Sequence, residues 1–216
     1  MRCDSHCGAI DEFFDRKVAT REAEHYRRRG PSAATRRLLS YIREAGIVGA
    51  RVLDIGGGIG AIPHELLDSG ASHATLVDAS RESLKAARKE AERRGSPAAL
   101  AIIHGDFTAI ARDVPEADVV TLDKVVCCYP DMDGLLAAST GRARRLFGIV
   151  YPRDGFWMRW IIGAQNAFRR VRGVDFRVYI FPERSIDDAI RSAGFSLRDS
   201  HRGLVWISAL YVRSAD

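Results

Sequence analysis

A glycine-rich loop headed by an aspartate is the segment of this sequence best suited to bind a ligand. It reads Asp54-Ile-Gly-Gly-Gly-Ile-Gly60, directly after the strand-like run Arg51–Ile55 and before a helical segment. Glycine suits this position because the turn is tight and a ligand must approach the backbone closely. In open α/β sheets, ligands bind at the carboxyl ends of the strands, where this loop lies. The predicted ligand-binding glycines are Gly56, Gly57, Gly58 and Gly60.

The charge beside the loop separates two classes of ligand. Gly56, Gly58 and Ala61 have the spacing of the relaxed dinucleotide fingerprint. A carboxylate at Asp54 would, however, repel a pyrophosphate. S-adenosylmethionine has no phosphate and carries an ammonium and a sulfonium group, so the acid favours this ligand over a dinucleotide.

Two more acids follow the next two predicted strands. Asp78 ends the second strand about 20 residues beyond the loop, where a carboxylate accepts hydrogen bonds from ribose hydroxyls. Its neighbour Ala79 is assigned to the same cofactor pocket. Asp106 and Phe107 follow the third strand, where the carboxylate can accept from the adenine amino group while the ring packs on the base. Each acid also has a plain interpretation as a turn or loop residue, and NAD enzymes use an acid like Asp78 similarly.

Residues after the fourth predicted strand are the candidates for the substrate side. Asp123 is assigned to the cofactor pocket, and Lys124 would hold a substrate carboxylate or simply cover the sheet edge. Tyr129 is the candidate catalytic residue, orienting or deprotonating the nucleophile, with a packing role as the alternative. Because a sulfonium is already an activated leaving group, positioning alone can supply much of the rate of methyl transfer.

The cysteines form two groups that could carry chemistry only if the fold joined them. Cys3, His6 and Cys7 are suitable metal-ligand types, yet no downstream pair completes a familiar zinc spacing. Cys127 and Cys128 are adjacent. Incidental reduced thiols are the default interpretation and no metal site is predicted; a joint site for a soft metal or a metalloid such as arsenic is the alternative.

The elements that position these residues alternate between strand and helix patterns. Such alternation predicts an α/β fold with a parallel sheet and helices on both faces. Two final runs separated by Arg202-Gly203 predict an antiparallel hairpin. The predicted strands are Arg51–Ile55, Ala74–Asp78, Leu100–Ile103, Ala117–Leu122, Arg145–Val150, Phe195–His201 and Leu204–Arg213. The predicted helices are Ile10–Arg29, Ser32–Ala45, Pro63–Asp68, Arg81–Arg94, Asp133–Thr140, Trp157–Arg170 and Ser185–Ser192.

The helices outside the alternating core are expected to enclose the site. Residues 1–45 are assigned to a helical lid, and residues 46–216 to one compact domain. Tyr26 and Arg27 of the lid would reach the carboxylate of the cofactor. The late aromatic helix, with Trp157, Met158 and Trp160, would either line the substrate pocket, which implies a flat apolar acceptor, or belong to the core.

These motifs resemble those of class I S-adenosylmethionine-dependent methyltransferases. Leu53–Gly60 is similar to the first motif of that family, Leu76–Asp78 to the second, Gly105–Phe107 to the third and Val120–Val126 to the fourth. The resemblance covers Arg51 to Arg213 and implies a Rossmann-like, doubly wound, mostly parallel seven-stranded sheet that ends in the antiparallel hairpin.

A weaker resemblance concerns a subgroup of that family. Tyr129-Pro130 and the layout of the final third resemble magnesium-protoporphyrin and ubiquinone-pathway O-methyltransferases. Because Cys127-Cys128 replaces the residues usual before Tyr-Pro, the resemblance does not extend to a porphyrin substrate. The acceptor is expected to be a small molecule methylated on O, N or S.

Composition bounds the remaining alternatives. Of 216 residues, 46% are hydrophobic and 28% charged, as in an ordinary globular protein. No apolar run reaches the roughly 20 residues that span a bilayer. The N-terminus lacks a signal-like apolar stretch, so a cytoplasmic protein without a membrane partner is expected. The net charge of +5 keeps an RNA methyltransferase as an alternative, although most arginines lie on charged helix faces. A non-catalytic ligand-binding relative and a homodimer also remain open.

Overall fold

The computed structural model describes residues 5–214, and it describes side chains from residue 8 onward. Within that range one sheet is covered on both faces by helices. The strands are β1 (Arg51–Ile55), β2 (His73–Asp78), β3 (Leu100–His104), β4 (Ala117–Asp123), β5 (Ala143–Pro152), β6 (Phe195–Arg202) and β7 (Trp206–Arg213). The helices are α1 (Ser5–Phe13), α2 (Arg16–Arg29), α3 (Ala33–Glu44), α4 (Ala61–Asp68), α5 (Arg81–Arg93), α6 (Phe107–Ile110), α7 (Met132–Thr140), α8 (Phe156–Val171) and α9 (Glu183–Ser192).

The strand order of the sheet is β3-β2-β1-β4-β5-β7-β6. The first five strands pair in parallel, whereas β7 runs antiparallel to both β5 and β6. The chain order reverses between β1 and β4, and such a switch point leaves a crevice at the carboxyl ends of the strands. The predicted mostly parallel sheet with a terminal antiparallel hairpin is therefore confirmed.

Each face of the sheet buries its own apolar cluster. On one face, Leu38 of α3, Leu66 of α4 and Ala87 of α5 pack against β1, β2 and β4. On the other, Leu135 of α7 and Ile190 of α9 pack against the opposite side of the central strands. Burial on both faces explains why β1 and β4 read as nearly continuous apolar runs. The packing of both clusters holds the carboxyl ends of β1, β2 and β4 in place around the crevice.

The N-terminal region departs from the prediction in two ways. The expected single helix over Ile10–Arg29 is divided, because the Asp15 side chain accepts a hydrogen bond from the Val18 amide and starts α2 afresh. Helix α3, assigned above to the lid, instead places Leu38, Leu39 and Ile42 in the main core. Of the predicted lid, α1 and α2 contribute no described side chain to these two clusters, so the lid assignment stays a prediction for these two helices alone.

Most other elements lie where the patterns predict them. Ser80 caps α5 as expected, since its hydroxyl accepts from the Ser83 amide. The short helix α6, which begins at Phe107, was not predicted because its four residues are too few to show periodicity. In the described part of the chain, none of the helices combines the length and the apolar character needed to cross a bilayer.

Candidate active site

A cavity of about 520 Å³ lies at the carboxyl ends of β1, β2 and β4. This volume is within the range of small-molecule and cofactor sites. The glycine loop lines one side of the cavity. Ile10 of α1, Phe14 between the two helices and Glu22 of α2 also line it. Predicted cofactor residues that line it are Asp54, Gly56, Gly57, Gly58, Asp78, Ala79, Phe107, Asp123 and Tyr26. Gly60 starts α4 in a left-handed conformation next to the cavity.

The glycine loop is shaped by the acid that precedes it. A Cβ atom at Gly57 would lie 1.9 Å from Asp54 Oδ2 and 2.6 Å from a methyl group of Leu76. Gly58 has a φ of +56°, a left-handed conformation that glycine adopts at little cost. A side chain at Gly57 would collide with Asp54 and Leu76, and one at Gly58 would strain the backbone. Glycine at both positions therefore lets the loop adopt this shape and leaves its backbone accessible to a ligand.

Asp54 is buried, yet only half of its carboxylate has a partner. Its Oδ1 accepts a hydrogen bond of 2.6 Å from the Thr121 hydroxyl, whereas its Oδ2 has no hydrogen-bond partner. Burial raises the pKa of Asp54 well above its usual value, and the Thr121 bond opposes this rise only in part. An unpartnered buried oxygen costs free energy that a ligand donor or cation in the cavity can recover.

Asp78 links the glycine loop to the end of β2. Its Oδ2 accepts from the Gly58 amide at 2.8 Å, and its Oδ1 accepts from the Ser80 amide at 2.7 Å. A carboxylate has about four acceptor positions, so each oxygen retains capacity for a further donor such as a hydroxyl. Burial raises the pKa of Asp78, while the two amides lower it.

Asp106 and Tyr129 are tied to each other rather than presented to a ligand. Tyr129 donates its hydroxyl proton to Asp106 Oδ1 at 2.9 Å, and the same oxygen accepts from the Thr108 amide and hydroxyl. Asp106 lies behind the cavity wall, which Phe107 and Tyr129 form. Burial and the Asp106 carboxylate both raise the pKa of Tyr129. The prediction that Tyr129 deprotonates the nucleophile therefore has no support in the geometry, and Oδ2 alone remains for an adenine amino group.

The end of β4 carries backbone strain beside the cavity. Lys124 has a φ of +65°, the only positive value at a non-glycine residue in the described range. Its Nζ donates to Ser32 Oγ at 3.0 Å and lies 3.6 Å from Asp123 Oδ1. Asp123 Oδ2 accepts from the Thr35 hydroxyl at 2.7 Å. Strained residues cluster at functional sites. The contacts with Ser32 and Asp123 stabilise Lys124 in its left-handed conformation.

Helix α2 adds charged residues that the motifs did not reveal. Arg21, Glu22 and His25 line the cavity together with Tyr26. The pKa of Glu22 is raised, first by burial and then by the charge of Asp78. The only available signal was the spacing of Arg21, Glu22 and His25, since positions three and four apart share a helix face. Without the lid geometry, nothing distinguishes that face from a solvated one.

The polar groups of Tyr26 and Arg27 bind other side chains of the protein, contrary to the prediction that they reach the cofactor. The Tyr26 hydroxyl donates to Glu65 at 3.0 Å and accepts from Arg94 at 2.8 Å. The Nε of Arg27 pairs with Glu90 at 2.9 Å. Tyr26 lines the cavity with its hydroxyl engaged elsewhere, and these bonds fasten α2 to α4 and α5 instead of reaching for the cofactor's carboxylate.

The aromatic helix α8 does not line the substrate pocket, contrary to one of the two sequence interpretations. Among its side chains, only that of Met158 is buried. Trp160 is 77% exposed and Trp157 is also exposed, and neither lies in the cavity wall. The inference of a flat apolar acceptor from this helix is therefore withdrawn.

The thiols are only partly brought to the site. Cys128 lines the cavity, whereas Cys127 is buried and donates to the Lys124 carbonyl at 3.3 Å. Hydrogen bonding between the two side chains lowers the pKa of Cys127 and raises that of Cys128. Cys3 and the side chain of Cys7 lie outside the described residues, so the four-thiol arrangement stays a prediction. Within the described residues, no cluster of three or more metal-ligating side chains forms.

Comparison with known proteins agrees with this fold and site. Residues 52–143 match the family described as a methyltransferase domain. The chain is 28% identical over 172 residues to the ubiquinone biosynthesis O-methyltransferase of Photorhabdus laumondii, covering 76% of this chain and 69% of that protein.

Two solved structures show how widely the fold is used. Magnesium protoporphyrin IX methyltransferase from Synechocystis PCC 6803 aligns with a TM-score of 0.74 at 16% identity, over 97% of this chain and all of that one. A putative RNA methyltransferase from Pyrococcus horikoshii aligns with a TM-score of 0.60 at 14% identity, over 84% and 82% of the two chains. Likeness at such low identity establishes the fold alone.

Domain match, curated relative and fold together support the class I S-adenosylmethionine-dependent methyltransferase that the motifs predicted. The family resemblance predicted from the motifs is thereby confirmed. The curated relative and the first of the two structures are named for ubiquinone biosynthesis and for magnesium protoporphyrin IX, the two groups that the weaker resemblance named.

Proposed function

We propose that this protein transfers the methyl group of S-adenosylmethionine to a small-molecule acceptor enclosed between the glycine loop and α2. One observation carries the proposal: the buried Oδ2 of Asp54 has no hydrogen-bond partner and lies against the glycine loop at Gly57. Two buried carboxylates, Asp54 and Asp78, would disfavour a pyrophosphate and favour a cationic nucleoside in the same place.

The residues present fit S-adenosylmethionine along its whole length. Asp54 and the backbone at Gly57 would hold the ammonium end, where the unpartnered Oδ2 accepts a donor. Asp78 would accept from the ribose hydroxyls with its remaining lone pairs. Phe107 and Ala79 supply apolar wall for the adenine ring. Arg21 of α2 lines the cavity, where it would pair with the carboxylate of the cofactor.

The chain's own contribution to the reaction is positioning and exclusion of water. When bound, the cofactor supplies a methyl group on an already activated sulfonium leaving group. Helix α2 lines one side of the cavity, to which Glu22 contributes a carboxyl group. Lys124, fixed by Ser32 and Asp123, would orient a polar or anionic group of the acceptor. Alignment of reactants in this way can supply much of the rate enhancement.

A small acceptor is favoured over RNA by the shape of the site. The named relatives include proteins that act on magnesium protoporphyrin and in ubiquinone synthesis, both small molecules. The same fold also serves a putative RNA methyltransferase, so fold cannot decide. Side chains of α1 and α2 line the cavity, and its volume of about 520 Å³ is within the range of small-molecule and cofactor sites.

Methyl-labelled S-adenosylmethionine tests the proposal with the intact chain. The protein is incubated with the low-molecular-weight fraction and, separately, with the RNA of one bacterial extract. Label is expected in the small-molecule fraction and should fall more than about tenfold with Asp78→Ala. Label recovered in RNA, or equal labelling by wild type and variant, would overturn the assignment.

A further inference from the structure

Helix α8 presents a continuous apolar face to solvent. Phe156, Trp160 and Val171 are 79%, 77% and 86% exposed, and they lie on one side of the helix by their spacing. Ile161 and Phe168 widen the same face and are also exposed. Large aromatic side chains grouped in solvent mark an interaction surface rather than scattered surface residues.

The opposite face of α8 is attached to the cavity wall. The Asn166 side chain bonds both the amide and the carbonyl of Val178. The Arg169 guanidinium lies 5.4 Å from the Phe13 ring and 5.7 Å from the Phe176 ring. Phe176 packs in turn against Ile10, which lines the cavity. The apolar face thus points outward from a helix that is anchored by its other side.

The charges around this face decide what it binds. Between residues 153 and 177 the chain has six arginines and two aspartates. Arg159 pairs with Asp154, whereas Arg170, Arg172 and Arg177 are exposed around and beyond the end of the helix. A second copy meeting this face would bring six more arginines and only two more aspartates, so it would not balance the positive charge. Anionic headgroups would complement the arginines, while the Trp and Phe side chains enter the acyl boundary.

We propose that α8 docks this protein on the surface of an anionic phospholipid bilayer. The absence of a spanning segment, from which no membrane partner was expected, does not bear on a helix that lies on the membrane surface. Helix α8 would lie in the plane of the interface, with Phe156 and Trp160 buried in lipid and the arginines at the headgroups. Docking through α8 does not depend on the identity of the methyl acceptor.

Sedimentation of the full-length protein with vesicles tests the proposal. The protein is expected to pellet with vesicles containing phosphatidylglycerol, to remain in solution with pure phosphatidylcholine, and to dissociate as salt rises. Trp160→Glu should lower the partition coefficient more than about tenfold. Val48→Glu is the matched control. Val48 is 89% exposed but precedes β1, at the amino ends of the parallel strands, whereas α8 follows the carboxyl end of β5.

Three results would overturn the lipid assignment. One is failure of the wild type to pellet with anionic vesicles at low salt. Another is equal loss of pelleting in the Trp160 and Val48 variants. The third is a concentration-dependent dimer, or binding of single-stranded RNA, that Trp160→Glu abolishes while vesicle binding persists. Circular dichroism of the variant confirms that it is folded, so a negative result counts against the proposal.

Discussion

Asp54 shows how a single residue ties stability to ligand binding. Asp54 is 1% exposed and one of its oxygens has no partner, so its charge destabilises the folded protein unless a ligand donor satisfies that oxygen. We expect Asp54→Asn to unfold at a higher temperature than wild type at pH 7. The same variant should bind S-adenosylhomocysteine at least about tenfold more weakly. Differential scanning calorimetry and isothermal titration measure the two effects.

The direction of the pH dependence follows from the raised pKa of Asp54. The folded state binds the proton more tightly than the unfolded chain, whose carboxyl pKa is about 3.9. The free energy of unfolding of the wild type should therefore fall as pH rises above about 4 and level off above the raised pKa. The stability gap to Asp54→Asn should widen over the same interval. A gap independent of pH would contradict the buried-charge explanation.

Tyr129 provides the test of whether a general base is needed from this side chain. Its proton is donated to Asp106 and its pKa is raised, so it is poorly suited to accept a proton at neutral pH. We expect Tyr129→Phe to retain label transfer to small molecules within a few-fold. Its free energy of unfolding should fall by about 1 to 2 kcal/mol, because Asp106 loses a donor. A loss of transfer beyond about a hundredfold in a folded variant would restore the catalytic assignment.

At the scale of elements, a network of ion pairs fastens α2 over the cavity. Glu90 of α5 is nearly inaccessible and accepts from Arg27, Arg93 and Arg94. Arg94 also binds the Tyr26 hydroxyl, which continues the network into α2. These contacts lower the pKa of Glu90 to about 2. Glu90 and its arginine partners do not line the cavity, so they can hold α2 in place without contacting a ligand.

Glu90→Gln should loosen this attachment. We expect the free energy of unfolding to fall by about 1 to 3 kcal/mol, as for lost hydrogen bonds to charged groups. The dissociation rate of S-adenosylhomocysteine should rise, measured by stopped-flow displacement. The stabilisation by Glu90 is present above the unfolded pKa of 4.5 and is lost as pH falls towards about 2.

The exposed pair of Glu24 and Arg28 on the same helix supplies the control. Glu24→Gln should change stability by less than about 0.5 kcal/mol, because solvent screens this pair. If both variants behaved alike, the network would have no special role in holding α2.

Sequence patterns predicted the layered elements well and the N-terminal elements poorly. Strands such as β1 and β2 show their burial as continuous apolar runs, and Ser80 announces the start of α5. The break at Asp15 was missed because Phe13, Phe14 and Val18 continue a helical pattern across it. The core position of α3 was missed because an amphipathic helix does not state which surface it covers.

At the scale of the whole molecule, the site joins parts of the chain that no motif connects. Asp54 and Asp78 were predicted because they follow strands that must share one sheet edge. Thr121 as the partner of Asp54, and Thr35 as the partner of Asp123, follow only from the packed structure. Glu22 and Arg21 belong to the site because α2 folds back over it. Long-range packing of this kind leaves no local signal in the sequence.

The central claim is that the cavity accepts a phosphate-free nucleoside that carries an ammonium group. Isothermal titration of the full chain with S-adenosylhomocysteine and with NAD tests it most directly. We predict saturable one-to-one binding of S-adenosylhomocysteine, no saturable heat with NAD, and at least about tenfold weaker binding by Asp78→Ala. Asp118→Ala, which removes an acid that also accepts from a backbone amide but lies outside the cavity, should bind like wild type. Saturable binding of NAD, or unchanged affinity in the folded Asp78 variant, would contradict the account.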